Sequence, residues 1–255
     1  MRTFRSKNSW RLLTEPLTAG GCFETCRVKK GKVLHLKEHL ERLQESCKTL
    51  NVPADYESQI TLGLQKAAQS VRDGFVRVAL QEEGHRPIFY EHPGLPYTRK
   101  DFEQGIALTT VATRRPWPMA LPAQAKVSGR LDGILARAEG NGSLEVLRLG
   151  PHGYLTEGTV SNLFLVKDGI LITPALWLGV LEGIMRRAVF KAARNLKIPV
   201  REIPVTRHEL FNAKEAFLTN VLMCVLPIAQ VDGRRIGSRI PGPITQRLAR
   251  ILEAG

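Results

Sequence analysis

The chain has 255 residues, enough to bury a substantial core in one large domain or two small ones. Its 43% hydrophobic and 24% charged residues are those of a globular protein and exclude wholesale disorder. The formal charge of +13 admits a nucleic-acid surface, but the basic residues are scattered, with no Lys/Arg block and no interleaved aromatic patch. They predict a solvated face suited to anionic metabolites, with no nucleic-acid partner.

Four cysteines, Cys22, Cys26, Cys47 and Cys224, make no CxxC pair, and no apolar signal segment follows Met1. A reducing cytoplasm is the simplest expectation. The longest apolar run, 221–229, is far short of the roughly 20 residues a membrane helix needs, so no membrane partner is expected.

In chain order, 22–28 reads as a strand that turns at Lys29-Lys30-Gly31-Lys32 and returns over 33–36. Leu40, Leu43, Cys47 and Leu50 then share one helix face, with Arg42 beside it. A second helix runs over 56–72, with Ile60, Leu64, Ala67 and Val71 inward. Strands over 75–81 and 86–91 flank Glu83-Gly84. A strand-like run over 105–112 gives way to Arg114-Arg115-Pro116-Trp117-Pro118 and Pro122, where proline removes donors and restricts its neighbours. This predicts a linker over 113–123 between an N-terminal domain (1–112) and a C-terminal domain (124–255). Beyond it, 131–139 reads as helix, and 144–149, 162–166 and 170–173 as strands. A helix follows over 184–196, then strands over 200–204, 216–219 and 225–231, and a last helix over 243–253. Strands and helices mix without strict alternation, so the expected class is α+β in two domains.

Several short blocks stand in a fixed order: Gly21-Cys22-Phe23-Glu24-Thr25, His39-Leu40-Glu41-Arg42-Leu43, Lys126, Glu157-Gly158 with Ser161-Asn162-Leu163-Phe164, Thr173-Pro174, and Leu181-Glu182-Gly183-Ile184-Met185-Arg186. Singly each is ordinary. Together they resemble the signature of the class IV pyridoxal-phosphate aminotransferase family, over roughly 20–232. The resemblance implies the two-domain fold of that family, pyridoxal 5′-phosphate as cofactor and a homodimer.

It also implies roles. Lys126 would condense with the cofactor's aldehyde and shuttle the proton, as only an amine can do both. Glu157 would face the pyridine nitrogen, where a carboxylate keeps the ring protonated. Arg42 would hold the phosphate, with the backbone amides of Gly183, Ile184 and Met185 at a helix start and the Thr219-Asn220-Val221 turn completing the cradle. Phe23 and Thr25 would face the substrate. Arg114, Arg115 and Arg130 are candidate partners for an anionic small-molecule substrate. No metal is implied.

Two departures narrow the reading. The segment before Phe23 is Leu17-Thr18-Ala19-Gly20-Gly21 rather than the family's Gly-Asp-Gly, and Leu131 stands where many aminotransferase members carry tyrosine. The second departure, with Arg130-Leu131, Gly183-Ile184-Met185-Arg186, Asn220-Val221-Leu222-Met223 and Gly21-Cys22-Phe23, resembles the 4-amino-4-deoxychorismate lyases, which implies release of p-aminobenzoate and pyruvate in folate biosynthesis. The alternative is transamination of branched-chain or D-amino acids. A separate pattern, His35-Leu36-Lys37-Glu38-His39, matches H-x-x-E-H, but His35 falls in a strand-like run and the helix is expected to begin near Glu38, so it predicts no zinc site.

Overall fold

In the computed structural model, which describes residues 21–53, 56–81 and 86–254, the first strand shows why its sequence alternates. β1 (Gly21–Lys29) buries Cys22, Cys26 and Val28 on one face and leaves Phe23 and Thr25 partly open on the other. It turns over Lys30 and Gly31, both at positive φ, into β2 (Lys32–Val33). The return strand expected over 33–36 stops there. His35 adopts a left-handed conformation (φ 54°) and precedes α1 (Leu36–Leu50), which begins earlier than expected.

α2 (Glu57–Val71), β3 (Gly74–Gln81) and β4 (Ile88–Pro93) complete a first unit whose antiparallel sheet has the order β2-β1-β3-β4. Cys26, Leu43, Leu64, Val76 and Val78 form its core between the sheet and the two helices. The turn at Glu83-Gly84 and the segment 17–20 lie outside the described residues. On α1 the buried stripe is His39, Arg42, Leu43, Ser46 and Cys47, whereas Leu40 and Leu50 are half-buried. Arg42 is therefore inside rather than beside the apolar face, because Glu24 of β1 supplies its counter-charge.

The spacing did not reveal α3 (Arg99–Gln104), although Thr98 and Asp101 form a capping box at its start. β5 (Ile106–Leu108) is shorter than the run expected over 105–112, and it pairs in parallel with β10 (Leu226–Val231). Residues 113–123 contain no helix or strand. α4 (Leu131–Glu139) spans the expected residues. The strand expected over 144–149 does not form an element: Leu147 and Leu149 make isolated bridges to Thr110 and Leu155, and Leu155 bridges to Val205 as well.

β6 (Asn162–Lys167), β7 (Ile170–Pro174), β8 (Val200–Ile203), β9 (Glu215–Thr219) and β11 (Arg234–Arg235) join β10 in the order β11-β10-β9-β6-β7-β8, with β5 attached to β10. Leu163 and Leu165 of β6 enter one core with Leu147, Leu155 and Ile228. Phe164 and Val166 enter another with Val189 of α5 (Ile184–Asn195) and Leu248 of α7 (Pro243–Ala254). Cover on both faces explains the unbroken apolar run of β6. The short α6 (Arg207–Phe211) and β11 escaped the sequence reading, although Thr206 and Glu209 form a capping box. The class is α+β, as expected. Among the described residues, no helix is long and apolar enough to cross a membrane.

Candidate active site

The open face of β1 meets the start of α5 and the turn after β9 around one cavity. Lys126 reaches it from a segment laid beside β1: Phe23 N donates to Lys126 O (3.1 Å) and Ser128 N to Gly21 O (3.0 Å). Ser46 ties this segment to α1, accepting from Lys126 N (3.0 Å) and donating to Arg42 O (2.8 Å). The ammonium lies 4.6 Å from the centre of the Phe23 ring. Burial, then Arg42 and Arg77, push Lys126 down to about 8 against the opposing pull of Glu24 and Glu157. Near neutral pH that raises the share of free, nucleophilic amine by roughly 300-fold over an ordinary lysine.

At another part of the cavity wall, Glu157 is 5% exposed. Its Oε1 meets Nη2 of Arg115 at 3.1 Å and Nη2 of Arg148 at 3.3 Å, while Oε2 accepts from Leu181 N (2.9 Å) and Asn162 Nδ2 (3.3 Å). The turn that follows is fastened by Glu145, whose buried carboxylate accepts from Thr159 N (2.9 Å), Val160 N (3.0 Å) and the Ser161 hydroxyl (2.8 Å). Burial would raise the Glu145 carboxyl, but Arg137 and these donors hold it below its ordinary value. A methyl group on Gly158 would run into Ser161 Oγ and Glu145 Oε2, so the tight entry into β6 needs glycine.

The third wall is built to take an anion. Nε and Nη2 of Arg42 grip Glu24 at 2.6 and 2.8 Å, and Nη1 approaches Glu182 O at 3.4 Å. His39 Nδ1 shares Glu24 Oε2 at 2.7 Å. Burial alone would raise the Glu24 carboxyl, yet Arg42 and His39 hold it well below the usual carboxylate range. α5 starts at Gly183 without a side-chain cap, leaving its first amides to an anion. In the turn after β9, the Thr219 hydroxyl is engaged by Cys224 O, and Asn220 Oδ1 accepts from Leu222 N (2.8 Å) and Met223 N (2.9 Å). That turn therefore offers backbone rather than side-chain donors.

Lys126, Arg42, Glu157, Gly183, Ile184, Met185, Thr219, Asn220 and Val221, singled out from the sequence, all line this one cavity, as do Phe23 and Thr25. Arg114, Arg115 and Arg130 do not line it. Arg114 is exposed, Arg115 is buried against Glu157, and Arg130 pairs with Asp132 at 3.1 Å. Besides Arg42, the arginine that does enter is Arg77 of β3, which donates to Thr25 Oγ1 (3.2 Å) and lies 5.5 Å from the Phe23 ring centre. Sequence reasoning missed it, along with Glu24, Ser46, Asp132 and Arg148. Period-two alternation had a signal for two of them: Arg77 pairs with Thr25 across the strands, and Glu24 falls on the covered face of β1. His35 makes a partly exposed contact with Glu38, and no group of His, Cys, Asp and Glu among the described residues is arranged to hold a metal.

A desolvated amine, a buried carboxylate and an amide-lined anion cradle around one cavity are suited to a phosphorylated aromatic aldehyde with a ring nitrogen. Comparison with known proteins agrees. Residues 21–231 match the family model described as amino-transferase class IV. A probable branched-chain-amino-acid aminotransferase of Thermotoga maritima is 34% identical over 247 residues, covering 94% of this chain and 88% of that one. Among solved structures, a putative branched-chain amino acid aminotransferase from the same organism superposes with a TM-score of 0.86 at 32% identity, over 100% of this chain and 90% of its own. The 4-amino-4-deoxychorismate lyase of Pseudomonas aeruginosa gives 0.81 at 28% identity, over 100% and 96%.

Proposed function

Because the chain belongs to the class IV aminotransferase family and is a pyridoxal-phosphate-dependent enzyme, we propose that it is a transaminase moving the amine of a branched-chain amino acid to a 2-oxo acid. The observation that carries this reading is the make-up of the cavity beside Lys126: Phe23, Val160 and Leu222 supply an apolar wall for an aliphatic side chain, and Arg77 a cation for a carboxylate. The branched-chain aminotransferases among its relatives support the same substrate class.

In this reading Lys126 would hold the cofactor through its aldehyde carbon, with loss of water, Glu157 would face the ring nitrogen, and Arg42, the α5 amides and the 219–221 backbone would hold the phosphate. The bound cofactor supplies an electron-accepting ring that stabilises negative charge at the substrate's Cα. The protein's part is to position and to move protons. Lys126, whose lowered proton affinity makes a larger share of free amine available near neutral pH, is placed to take the Cα proton and return it one atom further on. Arg42, held bidentately by Glu24, presents its remaining donors towards the phosphate. Ser46 keeps the amine in register with Arg42. The two sheet units act together, the first carrying Arg42 and the surface under Lys126, the second Glu157 and the anion cradle.

The proposal includes a homodimer, supported by Leu131 (65% exposed), Ile134 and Leu135, which stand open on one face of α4. It also includes a cytoplasmic location, on the cysteine usage. A second reading, the lyase first expected from the sequence, is favoured by the lyase structure matching over nearly its whole length and by Leu131 in place of tyrosine. Incubating the holoenzyme with leucine, isoleucine, valine or D-alanine and 2-oxoglutarate, and separately with 4-amino-4-deoxychorismate, decides. Rapid branched-chain keto-acid formation supports the transaminase. Release of p-aminobenzoate without it would replace that reading with the lyase.

A further inference from the structure

Glu157 lines the cavity and is held from behind by four donors, Arg115 and Arg148 on Oε1 and Leu181 N and Asn162 on Oε2. Behind the two guanidiniums stands Asp132, 2.7 Å from Nη1 of Arg148 and 3.6 Å from Nη1 of Arg115. Arg148 also fastens Gly158 O through Nε (3.2 Å) and Nη2 (2.8 Å), so it fixes both the carboxylate and the backbone next to it. Arg148 and Arg115 are 2% and 3% exposed, and charges so far from water act on one another with little screening. The crowding is felt: burial, followed by the neighbouring Arg148 and Arg130, pulls Arg115 down to about 10 despite Glu157 and Asp132. Asp132 and Arg148 do not line the cavity.

We infer that Arg148 and Asp132 are opposed positioning residues that set, through Glu157, how firmly the cofactor's ring nitrogen holds its proton, an inference that rests on the proposed placement of the ring at Glu157. Arg148 draws negative charge away from the ring and lowers the nitrogen's hold. Asp132 cancels part of Arg148 and restores it. No bond forms or breaks in this step, since the pair only sets the field in which the proton sits. Because that proton governs how much charge the ring accepts, the pair trims the catalytic power of the bound cofactor from outside the cavity.

The test uses holoenzyme loaded with cofactor carrying ¹⁵N in the ring and reads the ring nitrogen resonance, which reports the protonated fraction independently of turnover. Arg148→Leu should move it towards the protonated position and Asp132→Asn towards the neutral one, each corresponding to about a tenfold change in proton affinity. Arg148→Lys, which keeps the charge, should stay near the parent. Shifts of both variants in one direction would mark mere loosening and overturn the inference. So would an unmoved resonance in both while Glu157→Gln moves it. Should Arg148→Leu fail to fold, the near-isosteric Asp132→Asn decides, and an unchanged resonance overturns the inference. If Glu157→Gln itself leaves the resonance unchanged, the placement of the ring fails and the inference falls with it.

Discussion

Replacing Lys126 by methionine should make the cofactor-free protein more stable. In the folded chain the ammonium sits at about 8 against an ordinary value of 10.5, first because burial strips its water and then because Arg42 and Arg77 repel it. At 1.36 kcal/mol per pH unit, this destabilises the folded state by about 3 kcal/mol at pH 7. Below the folded value the lysine is protonated in both states and the whole effect is present. Between about 8 and 10.5 the unfolded chain binds more protons than the folded one, so parental stability rises with pH across that window. Methionine removes the charge and keeps most of the stem, giving up only the contact with Phe23, worth about 0.5–1 kcal/mol. The expected gain is about 2 kcal/mol at pH 7, shrinking to near zero at pH 10. Urea unfolding of cofactor-free parent and variant at both pH values measures it. A variant less stable than the parent at pH 7, or a gain equal at both pH values, would refute a lysine held in a desolvated, cation-lined cavity.

Further outcomes follow from other contacts. Glu24→Ala strips Arg42 of its counter-charge and His39 of its hydrogen-bond partner and should cost about 3–5 kcal/mol in urea unfolding, with weaker cofactor binding in dialysis titration. Arg77→Ala should raise KM about tenfold or more for leucine and for 2-oxoglutarate, since each carries a carboxylate; an unchanged KM for both would remove Arg77 from carboxylate recognition. Gly158→Ala forces the turn off Glu145 and Ser161, so both the melting temperature and cofactor affinity should fall, and an unaltered affinity would show that the turn has room.

Much of the site was legible because short blocks in a fixed order resemble the class IV family, which implied roles that no single block carries. Gly183 before an amphipathic helix announces an uncapped start, and Arg42 at helical spacing from His39 announces a buried stripe once a partner is known. Partners across strands were not legible. Glu24 reads as one more strand residue until β1 is packed against α1, and Arg77 becomes a cavity residue only when β3 lies opposite β1 in the observed register. Arg115 reads as a free cation in a proline-rich loop, and only the fold turns it towards Glu157. Short elements were lost for a related reason. α3 and α6 carry capping boxes but too few residues for a hydrophobic period, and β5 takes its place from a partner strand more than a hundred residues away.

The hanging of Lys126 on β1 and Ser46, with the facing wall drawn from residues as late as Leu222, also fixes an order of assembly on the ribosome. The first sheet and its two helices contain only residues up to Pro93 and can collapse while the rest is still being made. The lysine can dock only after that surface exists, and the anion cradle closes only when α5 and the turn after β9 have emerged. A ligand seated across this cavity cannot help the early chain to fold. It acts as a late clamp on a nearly complete polypeptide, so scarcity of the cofactor would leave most of the chain folded and the join between its two sheets as the first region open to proteases.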